Sequence, residues 1–201
     1  MRNYIYGAGG HGKVVLDAMQ SSQMDCSGFV DDKEISRWAG LDVYQFSALD
    51  LSDEVRLHLA IGSCAIREAF VAKLNHAKYF SVVHPAAIIA KTSQIGSGSF
   101  VAAQSIVAPY ATVGKHCIIN HAAVIDHDCV VGDFSHVAPQ VSLGGGVHIG
   151  KGVLIGAGSV VLPGLSVSDY AVIGAGAVVT KNVSAGVTVV GNPARAIIVN
   201  D

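Results

Sequence analysis

The residues best equipped for chemistry stand in one short stretch, Ile125-Asp126-His127-Asp128-Cys129-Val130-Val131-Gly132-Asp133-Phe134-Ser135-His136, which gathers histidines and acids in an otherwise weakly charged region. A histidine beside carboxylates suits general base catalysis, because the carboxylate fixes the imidazole tautomer and raises its basicity. A solvated turn histidine is the plain alternative for His127, as it is for His121 at the matching position of the preceding repeat. A second set lies near the N-terminus. Gly7, Gly9 and Gly12 match GxGxxG between the apolar Tyr4-Ile5-Tyr6 and a helical pattern, with Asp31-Asp32 about 20 positions further on. Backbone N–H groups in such a loop favour an anionic phosphate, and glycine lets the backbone approach it. Taken literally the motif is a dinucleotide fingerprint. The segment is only half the size that two mononucleotide-binding halves need, so a single nucleotide-sugar suits it better. Glycines that merely turn the chain are the third reading.

The elements that must position these groups are of two kinds. From Ile89 through Val107, Ile125, Leu143 and Val161 to Val179, an aliphatic residue recurs every six positions without an insertion. That period matches neither an α-helix nor an ordinary strand, but it suits a solenoid whose every side is a short strand plus a turn. The prediction is a parallel hexapeptide β-helix of about five triangular coils. Two residues before each aliphatic stand uncharged, mostly small residues such as Ser99, Cys117, Ala123, Cys129 and Ser135, so both members of each pair point inward. Gly96, Gly114, Gly132, Gly144, Gly150, Gly156 and Gly174 follow the aliphatics at the corners, where glycine is expected for steric reasons.

Residues 1–83 follow another pattern: strands over Tyr4–Tyr6, Gly28–Val30 and Leu57–Ile61, and helices over Lys13–Gln20 and through Ile66, Phe70 and Leu74. This predicts a small parallel, Rossmann-like βαβ domain at 1–83, followed by the β-helix and a C-terminal tail at 84–201. With 201 residues, 51% hydrophobic and 14% charged, the chain can bury a sizeable core. A formal charge of -2 argues against nucleic acid or an anionic membrane surface as a partner. No apolar run of membrane-spanning length and no signal-peptide pattern occurs. Cys26, Cys64, Cys117 and Cys129 form no CxxC pair, which points to a reduced, cytoplasmic setting and to buried thiols rather than nucleophiles.

The outward hexad residues bear on assembly. The first side carries Ile88, Ile106, Val124, Ser142, Val160 and Val178, and the third Phe100, Ile118, His136, Leu154 and Val172, while the second is mostly polar. Two apolar sides call for cover, and head-to-tail association about a threefold axis supplies it. A homotrimer is therefore expected. His127 follows the first side and the Gly156-Ala157-Gly158 and Gly174-Ala175-Gly176 corner follows the third, so each active site is expected between subunits.

Tyr4-Ile5-Tyr6-Gly7-Ala8-Gly9-Gly10-His11-Gly12, Asp31-Asp32, Ala60-Ile61-Gly62, His127-Asp128, Phe134-Ser135-His136-Val137 and Gly191-Asn192-Pro193-Ala194-Arg195 together resemble the bacterial sugar O-/N-acyltransferases. Within that group, which includes the sialic acid O-acetyltransferases, the chain is most similar to the bacillosamine-pathway type of nucleotide-4-amino-sugar N-acetyltransferase. The resemblance spans nearly the whole chain and implies a left-handed β-helix, acetyl-CoA as co-substrate and no metal. It implies His127 as the base that deprotonates the acceptor amine and Asp128 as the supporting acid, a position held by Glu in some relatives. His136 is implied near the thioester, with Ala157 and Ala175 offering backbone contacts to the cofactor. Gly9, Gly10, His11, Asp31, Asp32 and Gly62 are implied to line the nucleotide-sugar site.

Three other functions fit parts of this pattern. An O-acetyltransferase of a sugar or sialic acid differs only in acceptor chemistry. A zinc enzyme on a hexapeptide solenoid would use histidines too, but His116, His121, His127, His136 and His148 show no clear three-ligand spacing. A non-catalytic nucleotide-binding scaffold would bind acetyl-CoA without turnover.

Overall fold

The computed structural model describes residues 1–49, 54–74 and 76–197. The N-terminal part is a sheet in which β1 (Arg2–Tyr6) lies centrally, with β2 (Gly28–Val30) on one side and β5 (Val55–Leu59) on the other. Both pair parallel to β1. The chain order reverses at that point, so a crevice opens beyond the C-terminal ends of β1 and β5, where open α/β sheets bind ligands. Helix α1 (Gly10–Ser21) leaves the end of β1 and α2 (Cys64–Lys73) the end of β5, which brings the Gly7–Gly12 and Ile61–Gly62 loops to this crevice.

Helix α1 begins at Gly10, three residues before the periodicity predicts, because Gly9 is its extended N-cap and Gly10-His11-Gly12 form its first turn. These glycines differ in purpose. A Cβ on Gly12 would lie 2.2 Å from the Gly7 carbonyl oxygen, so this glycine permits close strand–helix packing. One on Gly9, Gly10 or Gly62 would meet nothing within 4 Å. Those positions border open space.

The sequence pattern did not disclose the hairpin of β3 (Arg37–Trp38) and β4 (Leu41–Tyr44), which extends the sheet beyond β2. The remaining N-terminal strands are β6 (Lys78–Tyr79), beside β5, and β7 (Val82–Val83), which pairs with Phe100–Val101 of the solenoid.

From Ile88 the chain forms two-residue strands in three parallel sheets, each strand pairing with the one eighteen residues on, as Val107 with Ile125 and Ile125 with Leu143. The aliphatics Val107, Ile125, Leu143 and Val161 are buried, as are their inward companions Ser105, Ala123, Val141 and Ser159. Core hydroxyls and thiols donate to carbonyls of the next coil: Ser99 Oγ to Gly114, Ser135 Oγ to Gly150, Cys117 Sγ to Gly132 and Cys129 Sγ to Gly144. These core hydroxyls and thiols thereby keep partners. Burial raises the Cys129 thiol pKa and pushes that of Cys117 up to about 12, so neither is a nucleophile at neutral pH.

The corners turn through a left-handed residue in each hexad from Gly98 to Gly176. Gln104, Tyr110, His116, Ala122, Asp128, Phe134 and Gln140 have φ between +54° and +63°, a region costly for residues with a Cβ. The glycines following the aliphatics lie elsewhere in the corner. Their need is steric: a Cβ on Gly132 would come 2.6 Å from the Gly150 backbone.

The third side is covered at its first levels by the chain itself. Phe100 and Ile118 are both 1% exposed, packed in one cluster with Ile5, Val15, Phe29 and Phe80 of the N-terminal part. Some of the apolar surface that suggested a neighbouring subunit is therefore intramolecular. The first side remains open in the single chain, Ile88 being 63% exposed.

Candidate active site

Asp128 occupies one of the left-handed corner positions, and its Oδ2 lies 2.7 Å from His127 Nδ1. The carboxylate accepts from Nδ1–H, which leaves the Nε2 lone pair as the proton acceptor. The hydrogen bond to Asp128, with Asp126 nearby, raises the pKa of this exposed imidazole above its ordinary value. Nε2 points along the corner to the next coil. A Cβ built on Gly145 would lie 2.5 Å from His127 Nε2 and 2.6 Å from Cε1. Gly145 thus provides the slot in which the ring rests. Gly145→Ala is expected to displace the imidazole without unfolding the chain, because the obstructed atoms end an exposed side chain. Its kcat should fall about 10- to 100-fold, as a misplacement on the order of 1 Å implies, with an unchanged thermal midpoint. Wild-type kcat in the alanine variant would refute this role.

On the N-terminal side, Asp31 Oδ2 accepts from the Ala8 N–H at 2.8 Å and Oδ1 from Lys33 N–H at 2.9 Å. Asp31 therefore shapes the glycine loop from below, whereas Asp32 is exposed at the rim. Trp38 Nε1 donates to the Gly9 carbonyl, and Lys13 Nζ lies 4.4 Å above the indole. These two residues, unforeseen from sequence, wall the loop. His11 turns inward: its ring meets Phe100 edge-on at 5.2 Å, and burial pushes its pKa down to about 3.

The β-helix meets this loop region through its third side. His136 Nδ1 lies 3.3 Å from the Gly62 carbonyl, and its Nε2 lies 3.2 Å from Asn120 Nδ2. Asn120 Oδ1 already accepts from His121 N–H, so its amide donates to His136. Nε2 of His136 is then an acceptor and Nδ1 carries the proton. Burial, reinforced by the Arg67 charge, holds His136 neutral with a pKa of about 4. His136 has no free ring nitrogen within the chain.

Arg67 of α2 is 1% exposed. Its guanidinium donates to the carbonyls of His116, Ile61, Gly62, Phe134 and Ser135, with Nε–His116 at 2.8 Å and Nη2–Phe134 at 2.6 Å. Burying such a charge costs several kcal/mol. Hydrogen bonds from a charged donor return roughly 1.5–3 kcal/mol each, so this set of carbonyls offsets it without a carboxylate. A groove of about 380 Å³ runs from Gly62 and Cys64 along Leu154 and Val172 of the third side.

Ala157 and Ala175 stack on the corner after the third side, where the Gly176 N–H donates to the Ala157 carbonyl. A Cβ on Gly156 would come 2.5 Å from the Ala175 nitrogen. Among the described residues no cluster of His, Cys, Asp or Glu is arranged as a metal site, and no helix is long and apolar enough to cross a membrane.

The expected residues thus fall into two groups. Gly9, Gly10, His11, Asp31, Asp32, Gly62 and His136 gather where the N-terminal sheet meets the third side, and Ala157 and Ala175 lie at the corner that follows that side. His127 and Asp128 stand at the corner between the first and second sides, with the Val124–Ile125 strand between them and the Asn120–His121 corner.

Residues 3–74 match the family described as PglD N-terminal domain, and residues 146–181 match the bacterial transferase hexapeptide repeats. The UDP-N-acetylbacillosamine N-acetyltransferase of Bacillus subtilis (strain 168) is 31% identical over 106 residues, which cover 48% of this chain and 49% of that enzyme. The aligned stretch therefore spans about half the length of that curated relative. Among solved structures, a histidine-to-asparagine mutant of perosamine N-acetyltransferase from Caulobacter crescentus, in complex with CoA and GDP-perosamine, superposes with a TM-score of 0.94 at 30% identity, covering 98% of this chain and 97% of that one. The acetyltransferase domain of PglB from Neisseria gonorrhoeae FA1090, in complex with acetyl coenzyme A, gives 0.91 at 29% identity, covering 98% of each chain.

Proposed function

The chain belongs to the nucleotide-amino-sugar N-acetyltransferases built from a PglD-type N-terminal domain and a hexapeptide β-helix, and from that premise we propose that it transfers the acetyl group of acetyl-CoA to the 4-amino group of a nucleotide-linked 4-amino-4,6-dideoxy sugar. The reaction would serve bacterial surface glycan or glycoprotein biosynthesis. The observation that carries this reading is the His127–Asp128 pair, with its 2.7 Å hydrogen bond and its Nε2 directed over a glycine. The neutral amine attacks the acetyl carbonyl, forming the C–N bond while the C–S bond breaks. The amine proton passes to His127 Nε2 and from there to the departing CoA thiolate, so no acyl-enzyme is required. Asp128 stabilises the imidazolium formed in between. Much of the remaining barrier is removed by holding thioester and amine in attack geometry.

The acceptor's nucleotide end is assigned to the Gly9-Gly10 turn, the Asp31-Asp32 pair and Gly62, beside Trp38 and Lys13. CoA is assigned to the Ala157 and Ala175 corner, with His136 near the thioester. His136 then contributes as a neutral, oriented group, because its ring nitrogens are both engaged. Acetyl-CoA as donor and four free thiols favour the cytoplasm as the place of work. The apolar first side supports a homotrimer in which the two groups of residues meet across a subunit boundary.

A thiol-release assay with acetyl-CoA against a panel of nucleotide-linked 4-amino sugars tests the reaction. Turnover with a sugar hydroxyl, and none with any amine, would favour O-acetylation instead. The acceptor assignment has its own test in Gly10→Val. A Cβ there meets no protein atom, so the fold should tolerate valine while the backbone approach of the phosphate is obstructed. The acceptor KM is expected to rise at least about 10-fold with acetyl-CoA binding nearly unchanged. Tight NAD binding by the wild-type protein in calorimetry would overturn the assignment.

A further inference from the structure

Arg67 is not among the residues to which the sequence or the chemistry of transfer assigns a role, yet it is the largest fully buried side chain of the described protein. A cation placed there only to hold two layers together would be expected to pair with a carboxylate. Its partners are instead backbone carbonyls, with the Cys64 sulfur at 3.9 Å, and the carbonyls come from both sides of the junction between the N-terminal sheet and the β-helix. Nη1 donates to Ile61 and Gly62, the turn leaving β5, while Nη2 donates to Phe134 and Ser135 and Nε to His116 on the solenoid. Two of these carbonyls adjoin the site. Gly62 O accepts from Arg67 at 3.2 Å and from His136 Nδ1 at 3.3 Å, and Ser135 immediately precedes His136.

We propose that Arg67 is a positioning residue for acetyl transfer, whose guanidinium fork fixes the spacing between the acceptor-binding Gly62 turn and the β-helix and holds the Gly62 carbonyl against His136 Nδ1. The spacing follows from geometry. The fork is planar and rigid, so one side chain sets the Ile61–Gly62 and Phe134–Ser135 segments relative to each other. The ring state follows from charge and hydrogen bonding together. With Arg67 donating to the same carbonyl, a second cation at His136 is disfavoured, and Gly62 O stays aimed at Nδ1. Among the described residues, His11 also interacts electrostatically with His136 and is itself neutral through burial. A lysine cannot replace the fork, since its compact ammonium has only three donors and no fixed plane.

The proposal rests on the acceptor site being at the Gly62 turn, and its test separates the two. Arg67→Lys and Arg67→Gln are compared with wild type for acceptor KM, acetyl-CoA KM and the ring ¹⁵N spectrum of His136, assigned by its loss in His136→Asn. Both variants are expected to raise the acceptor KM about 10- to 100-fold, the cost of a displacement on the order of 1 Å, with a smaller change in acetyl-CoA KM. In wild type, His136 should be neutral with the proton on Nδ1 down to a pH near 5. In Arg67→Gln the ring should keep its Nδ1–H tautomer, which Asn120 sets, but titrate closer to the ordinary histidine value as the Arg67 charge is removed. Folded variants with wild-type acceptor KM and an unchanged His136 spectrum would overturn the proposal. Should neither variant fold, the wild-type titration decides: a His136 ring still neutral at about pH 5.5 supports the assignment, and a ring charged at pH 6 overturns it. If wild type turns over no nucleotide-linked amino sugar, the functional reading fails, while the His136 spectra still report on Arg67.

Discussion

His127→Ala is expected to lower kcat by about 10²- to 10⁴-fold, the contribution of a positioned general base, while the protein stays folded. Folding should survive because His127 is an outward corner residue, its side chain 61% exposed. It belongs neither to the aliphatic stack of Ile125, Leu143 and Val161 nor to the parallel strand ladder. Acceptor KM and acetyl-CoA KM should change little, since alanine leaves the glycine loop and the Ala157 and Ala175 corner untouched. The measurement is steady-state kinetics with circular dichroism as the folding control. Near-wild-type turnover by His127→Ala across the pH range would remove the base assignment and leave catalysis to positioning alone, because His136 has no free ring nitrogen.

The pH dependence carries the same mechanism further. The base form of His127 is neutral, and its pKa is raised chiefly by the hydrogen bond to Asp128. Activity should therefore fall as the pH drops through that raised value, giving an acid limb of kcat/KM above the ordinary histidine pKa. Replacing the carboxylate by Asp128→Asn removes the largest cause of the shift and leaves that of Asp126. The acid limb should move to lower pH even as the plateau declines, the decline being smaller than that of His127→Ala. The attacking amine titrates as well, so the displacement between wild type and Asp128→Asn is more informative than either limb alone.

The β-helix was legible because its register is rewritten in every hexad: inward pairs such as Ser105–Val107 and Ala123–Ile125 repeat the same local demand until only a solenoid satisfies it. The His127–Asp128 corner was legible for the opposite reason, as charge in a nearly uncharged stretch. What escaped the sequence depends on partners without side-chain signatures. Arg67 reaches the carbonyls of His116 and Ser135, separated from it by 49 and 68 positions, and a carbonyl is the same at every residue. The β3–β4 hairpin joins strands of two and four residues, too short for periodicity to reveal, so Trp38 gave no sign that it flanks Gly9. Gly145 lies between these cases. It stands one coil above His127, a relation the hexad period contains, but the triplet Gly144-Gly145-Gly146 resembles any glycine-rich corner until the imidazole is seen resting on it.

The second large effect is expected from mixing subunits. Within one chain, His127 stands at the corner after the first side, whereas Gly10, Gly62 and His136 gather at the third side, and no hydrogen bond joins the two groups among the described residues. If a threefold head-to-tail assembly brings them together, each site draws its base from one protomer and its acceptor loop from the next. His127→Ala and Gly10→Val then damage different halves. Assayed well below the acceptor KM of the Gly10→Val protein, either homotrimer should be nearly inactive. Trimers reassembled from an equal mixture should regain activity at about one quarter of their sites, the fraction in which an intact base and an intact loop meet by chance across a boundary. A site contained within one chain predicts no such recovery, because every chain then carries one of the two lesions. Light scattering provides the independent check: a stable monomer at micromolar concentration, or mixed trimers no more active than the mean of their parents, would exclude the shared site.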